Sequence, residues 1–256
     1  MSTLGNNLLA QYYAQSNLTA KSYVRNGLVA IWDGIDNAGV GVHDNIARAV
    51  DLVGHHPDMT GFSSMLDDAM NFISGNSCTF AANQWNDFRS ALCSGQFTFE
   101  SCIELDYHDG WATIIYSSGS NNGSRFNIRP SFDSKNTSYR KIQTFLYSSS
   151  AVGGWAIGAN YQQIIPSDLQ FTNISFSSNK NNATLYCDSE SFSINDGAFP
   201  IQMNDYALCF GREYSNGNSN NGAYGKWHCI RWYNRPLTPS EVAHNYRIDK
   251  KRFNLP

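Results

Sequence analysis

Residues 104–109 read ELDYHD, which places three carboxylates (Glu104, Asp106 and Asp109) within six positions, with a histidine among them. Two carboxylates can cleave a glycosidic bond when one protonates the leaving oxygen and the other attacks the anomeric carbon. A retaining pair of this kind stands about 5–5.5 Å apart. The preceding run, FTFESCIELD, alternates with period two. Phe97, Phe99, Ser101, Ile103 and Leu105 fall on one face; Thr98, Glu100, Cys102, Glu104 and Asp106 fall on the other. Glu104 and Asp106 therefore share a face, and only a bulge would bring Asp109 beside them. The plainer reading makes that face the wet side of a strand and His108-Asp109-Gly110 the turn that follows it. Three acids on a solvated strand face arise easily, so the expectation is no catalysis, with Glu104, Asp106 and Asp109 as the alternative catalytic set.

Other constellations are thinner. His55 and His56 are adjacent, so on a strand they point to opposite faces and do not share a metal simply. In DGIDNAGVGVHD, Asp33, Asp36 and Asp44 are oxygen donors of the kind calcium takes, against the commoner role of Asp in turns. The expectation is no cofactor, with calcium as the weak alternative. No G-x-S-x-G, no H-E-x-x-H and no phosphate-cradling glycine loop is present. Six cysteines (Cys78, Cys93, Cys102, Cys187, Cys209 and Cys229) lack C-x-x-C spacing and read as buried reduced thiols, with a secreted disulfide framework as the competing account.

Sugar recognition fits the composition better. Sugar rings stack on aromatic faces, and their hydroxyls pair with amides, carboxylates and backbone. Charged residues are 15% and aromatics 14% of the chain, with turn formers filling much of the rest. Aromatics near polar loops are the candidate ligand residues: Trp85 in NQWND, Trp111 after HDG, Trp155 after GG, and Tyr214 and Tyr224 around SNGNSNNGA. Core packing is the competing fate of each. With a net charge of -3, no global basic field recruits nucleic acid or anionic lipid. No apolar run approaches the ~20 residues that span a bilayer, so neither nucleic acid nor membrane is expected as a partner.

The elements that must hold these residues are short strands. GLVAIWDG, FTFESCIELD, WATIIYS, RFNIRPSF, KIQTFLYS, GGWAIGANY, LQFTNISFS, ATLYCD, YALCFGREY and KWHCIRWYN alternate or carry β-branched and aromatic residues between Asn/Ser/Gly loops. Such a series predicts an all-β sandwich of two antiparallel sheets, a jelly roll. LTPSEVAHNYRIDKKRF predicts a closing helix over 238–253, with Thr238 as N-cap, Pro239 at the first position, Glu241 completing a capping box and Leu237 stapled to Val242. Residues 1–25 stand apart as an N-terminal arm: Leu4, Leu8, Leu9, Tyr12 and Tyr13 recur near helical spacing, giving a stripe that docks on its own domain or on another subunit. Residues 26–256 form the jelly roll. The start of the chain has neither the basic nor the apolar region of a Sec leader.

The ordered set GLVAIWDG, DLVG, CTFAANQWNDF, FTFESCIELD and YGKWHCIRWYNRPLTPSEVAHNY resembles a laminin-G-like, concanavalin-A-like jelly-roll domain of the kind found in gut bacteria and their phages. The resemblance runs from about Gly27 to Phe253 and implies two packed antiparallel sheets with first and last strands adjacent. AANQWNDF stands where the family often carries aspartates that help hold calcium. Retaining glucanases of the same superfamily carry E-x-D-x-x-E on their active strand, which ELDYHD approaches with Asp in the last place. Together these readings point to a non-catalytic glycan-binding or decoration protein on a particle surface, a phage head or tail-fibre adhesin. Its partners would be glycans and other virion subunits, as a homo-oligomer assembled in the host cytoplasm; otherwise it would be extracellular without a classical leader. The alternatives are a retaining endo-glycanase and a purely structural virion cement.

Overall fold

The alternation of FTFESCIELD builds the axis of the molecule. The computed structural model describes residues 18–39, 47–66, 68–106, 110–118, 125–132, 139–147, 163–166, 171–180, 182–188, 190–194, 207–212 and 222–255. In it this run is the strand Gln96–Leu105, in the middle of an eight-stranded antiparallel sheet. On one side it pairs with Phe171–Asn179, which leads outward through Asn182–Cys187 to Glu190–Ile194. On the other it pairs with the closing strand Gly225–Tyr233. The far edge of that closing strand is shared by the opening strand Leu28–Asp33 and by Ala69–Phe72, itself flanked by Ser64–Leu66. First and last strands are thus neighbours, as the resemblance implied.

The second sheet has seven strands. From one edge to the other they are Gln163–Pro166, Tyr139–Tyr147, Arg125–Phe132, Ile115–Ser118, Leu208–Phe210 and Cys78–Phe80, with Gly110–Trp111 also pairing along Arg125–Phe132. The expected all-β sandwich of two antiparallel sheets with a C-terminal helix is therefore what the chain forms. The inner faces meet in an aromatic core: Phe97, Phe99, Ile103 and Leu105 from the first sheet, Ile115, Phe126, Ile128, Leu208 and Phe210 from the second. Trp232 lies at its centre, stacked on Phe88 with ring centroids 4.3 Å apart and on Phe210 at 5.6 Å. Offset stacking adds to the burial of large apolar area, and this is where most of the fold's stabilisation resides.

The outer face of the first sheet is covered as well. The helix Pro239–Arg252 lies on it, capped as its sequence requires: the Thr238 hydroxyl accepts from the Glu241 amide, and the Glu241 carboxylate accepts from the Thr238 amide. Leu237 and Val242 share a second apolar cluster with Tyr23, Leu28, Ile31, Cys102, Cys229, Tyr233, Ile248 and Phe253. Thr98 and Glu100, on the face expected to meet water, are consequently buried, and Cys102 is buried with them. The period-two pattern identified the face correctly; what lies on top of it came from a helix more than a hundred residues away in sequence. All six cysteines are free; five are buried and Cys93 is half-buried.

Candidate functional site

The acids of ELDYHD sit where the first sheet ends. Gly225 allows the closing strand to come alongside: its φ is +129°, and a Cβ there would stand 2.0 Å from the Glu104 carbonyl oxygen, a place only glycine can occupy. Asp106 donates its amide to the Tyr224 carbonyl at 2.9 Å and keeps its side chain in solvent. Glu104 is half-buried, lies across from Lys226 and reaches to 3.9 Å from the His228 ring. Burial, with Lys226 beside it, holds His228 down at about 4, so this ring is neutral at ordinary pH. Asp109 lies outside the described residues.

Glu100, on the same face of the central strand, is fixed in a buried ionic network. Arg231 donates to Glu100 (Nε–Oε2 2.8 Å) and, as a fork, to Asp249 (2.8 and 2.6 Å). Asn245 donates to Glu100 and to the Tyr233 hydroxyl, and Asn173 donates to Asp249. The Tyr23 hydroxyl donates to Asp249 at 2.6 Å and accepts from Arg252 at 3.0 Å, while its ring lies 4.0 Å beneath the Arg231 guanidinium. Burial works against the charge on Arg231, but Asp249 and Glu100 hold it well above the ordinary arginine range. Of the three aspartates considered for calcium, Asp33 takes both Arg252 amino groups (2.6 and 2.9 Å) and Asp36 takes one at 3.0 Å. Asp44 lies outside the described residues. Arginine thus occupies the carboxylates a cation would need, and among the described residues no group of three His, Cys, Asp or Glu is placed to hold a metal.

Of the aromatics singled out for sugar stacking, Trp85 must be withdrawn. It is fully buried, at the start of the helix Asn86–Ser94 and within the inter-sheet core, and presents no face to a ligand. Tyr224 is half-buried beside the Gly222 turn. Trp155 and Tyr214 lie outside the described residues, as do all five positions of the docking stripe, Leu4, Leu8, Leu9, Tyr12 and Tyr13. Trp111 is placed by its backbone, pairing with Ser131 in the second sheet.

That register leads to a feature the sequence reading missed. Phe126 and Ile128 enter the core, so Asn127 and Arg129 belong to the opposite, outer side of the second sheet. Cross-strand pairing continues a row there: Asn127 opposite Tyr116, Tyr116 opposite Cys209, Cys209 opposite Thr79. Thr79 is exposed and Arg129 half-buried; Tyr116 and Asn127 are 3% and 4% exposed. Asn127 Oδ1 is buried and finds no hydrogen-bond partner among the described residues. A buried amide oxygen left unpaired costs about 1–3 kcal/mol, so its retention calls for a donor. The signal was legible in RFNIR and IIYSS, whose polar positions alternate with core residues.

A third polar centre ties the core to the loop before it. His56 lies edge-on to Trp232 at 5.4 Å, bonds Asp87 at 2.9 Å, and has Asp51 at 3.6 Å, an ion-pair rather than a hydrogen-bond distance. Asp51 in turn accepts from the amides of Ile31, Val53, His55 and His56. Burial lowers the His56 pKa, but the two carboxylates outweigh it and hold the ring at about 9. The cluster is a staple between loop and helix.

These two sheets, their connections and their closing helix define an antiparallel lectin-type jelly roll. Residues 76–243 match the laminin-G-type family of the concanavalin A-like lectin/glucanases superfamily, and the chain belongs to that family. No curated protein is significantly similar in sequence. Among solved structures, the sialidase of Trypanosoma rangeli in complex with sialic acid matches with a TM-score of 0.56 at 11% identity, covering 97% of this chain and 39% of that one. The present chain thus spans about two-fifths of that sialidase's length. The CBM40 module of the Ruminococcus gnavus IT-sialidase matches with a TM-score of 0.48 at 10% identity, over 65% of this chain and 91% of the module. At these identities the likeness is one of fold.

Proposed function

We propose that this chain is a non-catalytic glycan-binding domain whose ligand meets the outer face of the second sheet. The observation that carries the reading is Asn127, a buried amide whose oxygen has no partner among the described residues, in a row of polar and aromatic side chains on the side away from the core. A sugar hydroxyl supplies a donor to that oxygen, and the row around it is polar and aromatic, the mixture sugars use. Trp111 pairs through its backbone with Ser131 of the same strand and is the aromatic to replace when stacking is tested. The family to which the chain belongs is named for lectins as well as glucanases.

Glu104 and Asp106 take no part in catalysis on this reading. They stand on the other sheet, where Glu104 faces Lys226 and His228. The same proposal places the domain on a particle surface such as a virion, with the stripe Leu4, Leu8, Leu9, Tyr12 and Tyr13 of the arm 1–25 as the docking face; that stripe and the free cysteines support it. The test is a glycan array followed by reducing-sugar assay of every hit. Binding without release supports the proposal, whereas release that Glu104→Gln abolishes overturns it in favour of a glycanase.

A further inference from the structure

The first sheet ends in an edge that no strand among the described residues covers. Its last strand, Glu190–Ile194, pairs with Asn182–Cys187 along all five of its residues, without a bulge, and with no described strand on its other side. An open edge presents unpaired backbone N–H and C=O groups, and proteins blunt such edges with shortness, proline, lysine, bulges or a covering loop. The other described edges of the two large sheets each carry one of these. Ser64–Leu66 and Cys78–Phe80 hold three residues, Gly110–Trp111 holds two, and Gln163–Pro166 ends in proline. The free side of Leu28–Asp33 is capped by a loop: the Ile31 amide donates to Asp51 at 2.9 Å and its carbonyl accepts from the Leu52 amide at 2.9 Å. Glu190–Ile194 contains no proline, lysine or glycine, and Glu190, Ser191, Phe192 and Ser193 are all exposed. Phe192 lies opposite Leu185, whose side chain enters the inter-sheet core, so it prolongs that core past the last strand; yet it is 39% exposed. One exposed phenylalanine alone is ordinary. Here it is the middle residue of a strand that is close to self-complementary about that position.

We propose that this edge is a docking surface for a second copy of the chain, with the two Glu190–Ile194 strands antiparallel about a two-fold axis at Phe192. In that register Phe192 meets Phe192, Ser191 meets Ser193, and Glu190 meets position 194. Aromatic residues directly opposite one another make a favourable cross-strand pair. The two Glu190 residues then stand about 13 Å apart along the strands, beyond the ~8 Å over which charges act at physiological salt. An axis at Glu190 would instead set like charges face to face, which is destabilising. The contact is isologous, so it closes at a dimer. Opposite residues of an antiparallel pair point to one face, so the two first sheets continue with the same side up, and both second sheets turn their outer faces in the same direction. The inference stands on the edge alone. Where the glycan-binding reading also holds, the dimer is bivalent and its second contact forms at raised effective concentration.

Sedimentation equilibrium of the full chain over a wide concentration range reads the association. The expected mass rises with concentration from 28.6 kDa to twice that value and no further. Phe192→Lys and Phe192→Glu should each raise the dimer dissociation constant at least about tenfold by setting like charges opposite one another, with the wild-type circular dichroism retained. An equimolar mixture of the two variants should dimerise again, because lysine then faces glutamate across the axis; a contact elsewhere on the molecule does not predict that rescue. A wild type that stays monomeric at every concentration, growth beyond the dimer, a dimer indifferent to both substitutions, or a mixture that stays monomeric overturns the inference. Should either variant lose its fold, amide exchange on the wild type decides: slower exchange over 190–194 at high concentration than at low supports the edge contact, and equal exchange overturns it.

Discussion

Replacing Arg231 with methionine puts the strongest demand on the account of how the covering helix is held. Arg231 makes three charge-assisted hydrogen bonds to Glu100 and Asp249, and all three residues are 0–1% exposed. Without it, two carboxylates remain in a dry layer. Glu100 keeps Asn245 and Ser175 as donors, and Asp249 keeps Tyr23 and Asn173. Those donors soften the penalty without removing it. Breaking a buried pair by deleting one partner costs about 3–5 kcal/mol, a large part of the roughly 5–15 kcal/mol by which domains are stable. With a urea slope of about 3 kcal/mol per molar, the unfolding midpoint should fall by roughly 1–2 M. The triple variant Arg231→Met, Glu100→Gln, Asp249→Asn removes all three charges and should lose less than the single one, because no charge is stranded. Urea melts of the three proteins decide it. A single variant within about 1 kcal/mol of wild type, or a triple variant that loses more than the single, would refute the reasoning.

Stability should peak near pH 6.5 and fall on both sides. His56, held up at about 9, contributes fully below 6.5 and loses that contribution as pH rises through 9. His228, held down at about 4, contributes above 6.5 and loses it as pH falls through 4. Each difference corresponds to about 3 kcal/mol at most, and His56→Gln should flatten the alkaline limb of a thermal-melt profile. Truncation before Leu18 should leave a folded domain by circular dichroism and heat capacity. Truncation through Arg25 should destabilise it sharply, because it removes Tyr23, which is 2% exposed between two arginines.

Strands and the closing helix were legible because their signals are local. Period-two alternation located Gln96–Leu105, and the Thr238–Glu241 capping box located the helix start. The inward side of that helix was harder. Val242 and Asp249 are buried, but so is Asn245 between them, while Tyr246 is only half-buried. A polar residue earns an interior place only through partners such as Glu100 and Tyr233, and sequence periodicity does not see partners. The same limit hides the partners of Tyr23: it reads as part of an N-terminal arm, and its hydroxyl joins Asp249 to Arg252 across more than two hundred residues. Short strands such as Ala69–Phe72 carry too few residues to show a period. At the candidate site, the proposed row lies on a different sheet from the ELDYHD acids. The row Asn127–Tyr116–Cys209–Thr79 is assembled from four strands, and only pairing register makes it contiguous.

The central claim is that glycan meets the second sheet and not the ELDYHD acids. Its most direct test is a side-by-side glycan-array measurement on wild type, Asn127→Ala and Glu104→Gln, each verified as folded. The account predicts that Glu104→Gln keeps the wild-type pattern while Asn127→Ala loses its hits. The opposite result, binding retained by Asn127→Ala and lost by Glu104→Gln, would contradict it and move the site to the end of the first sheet.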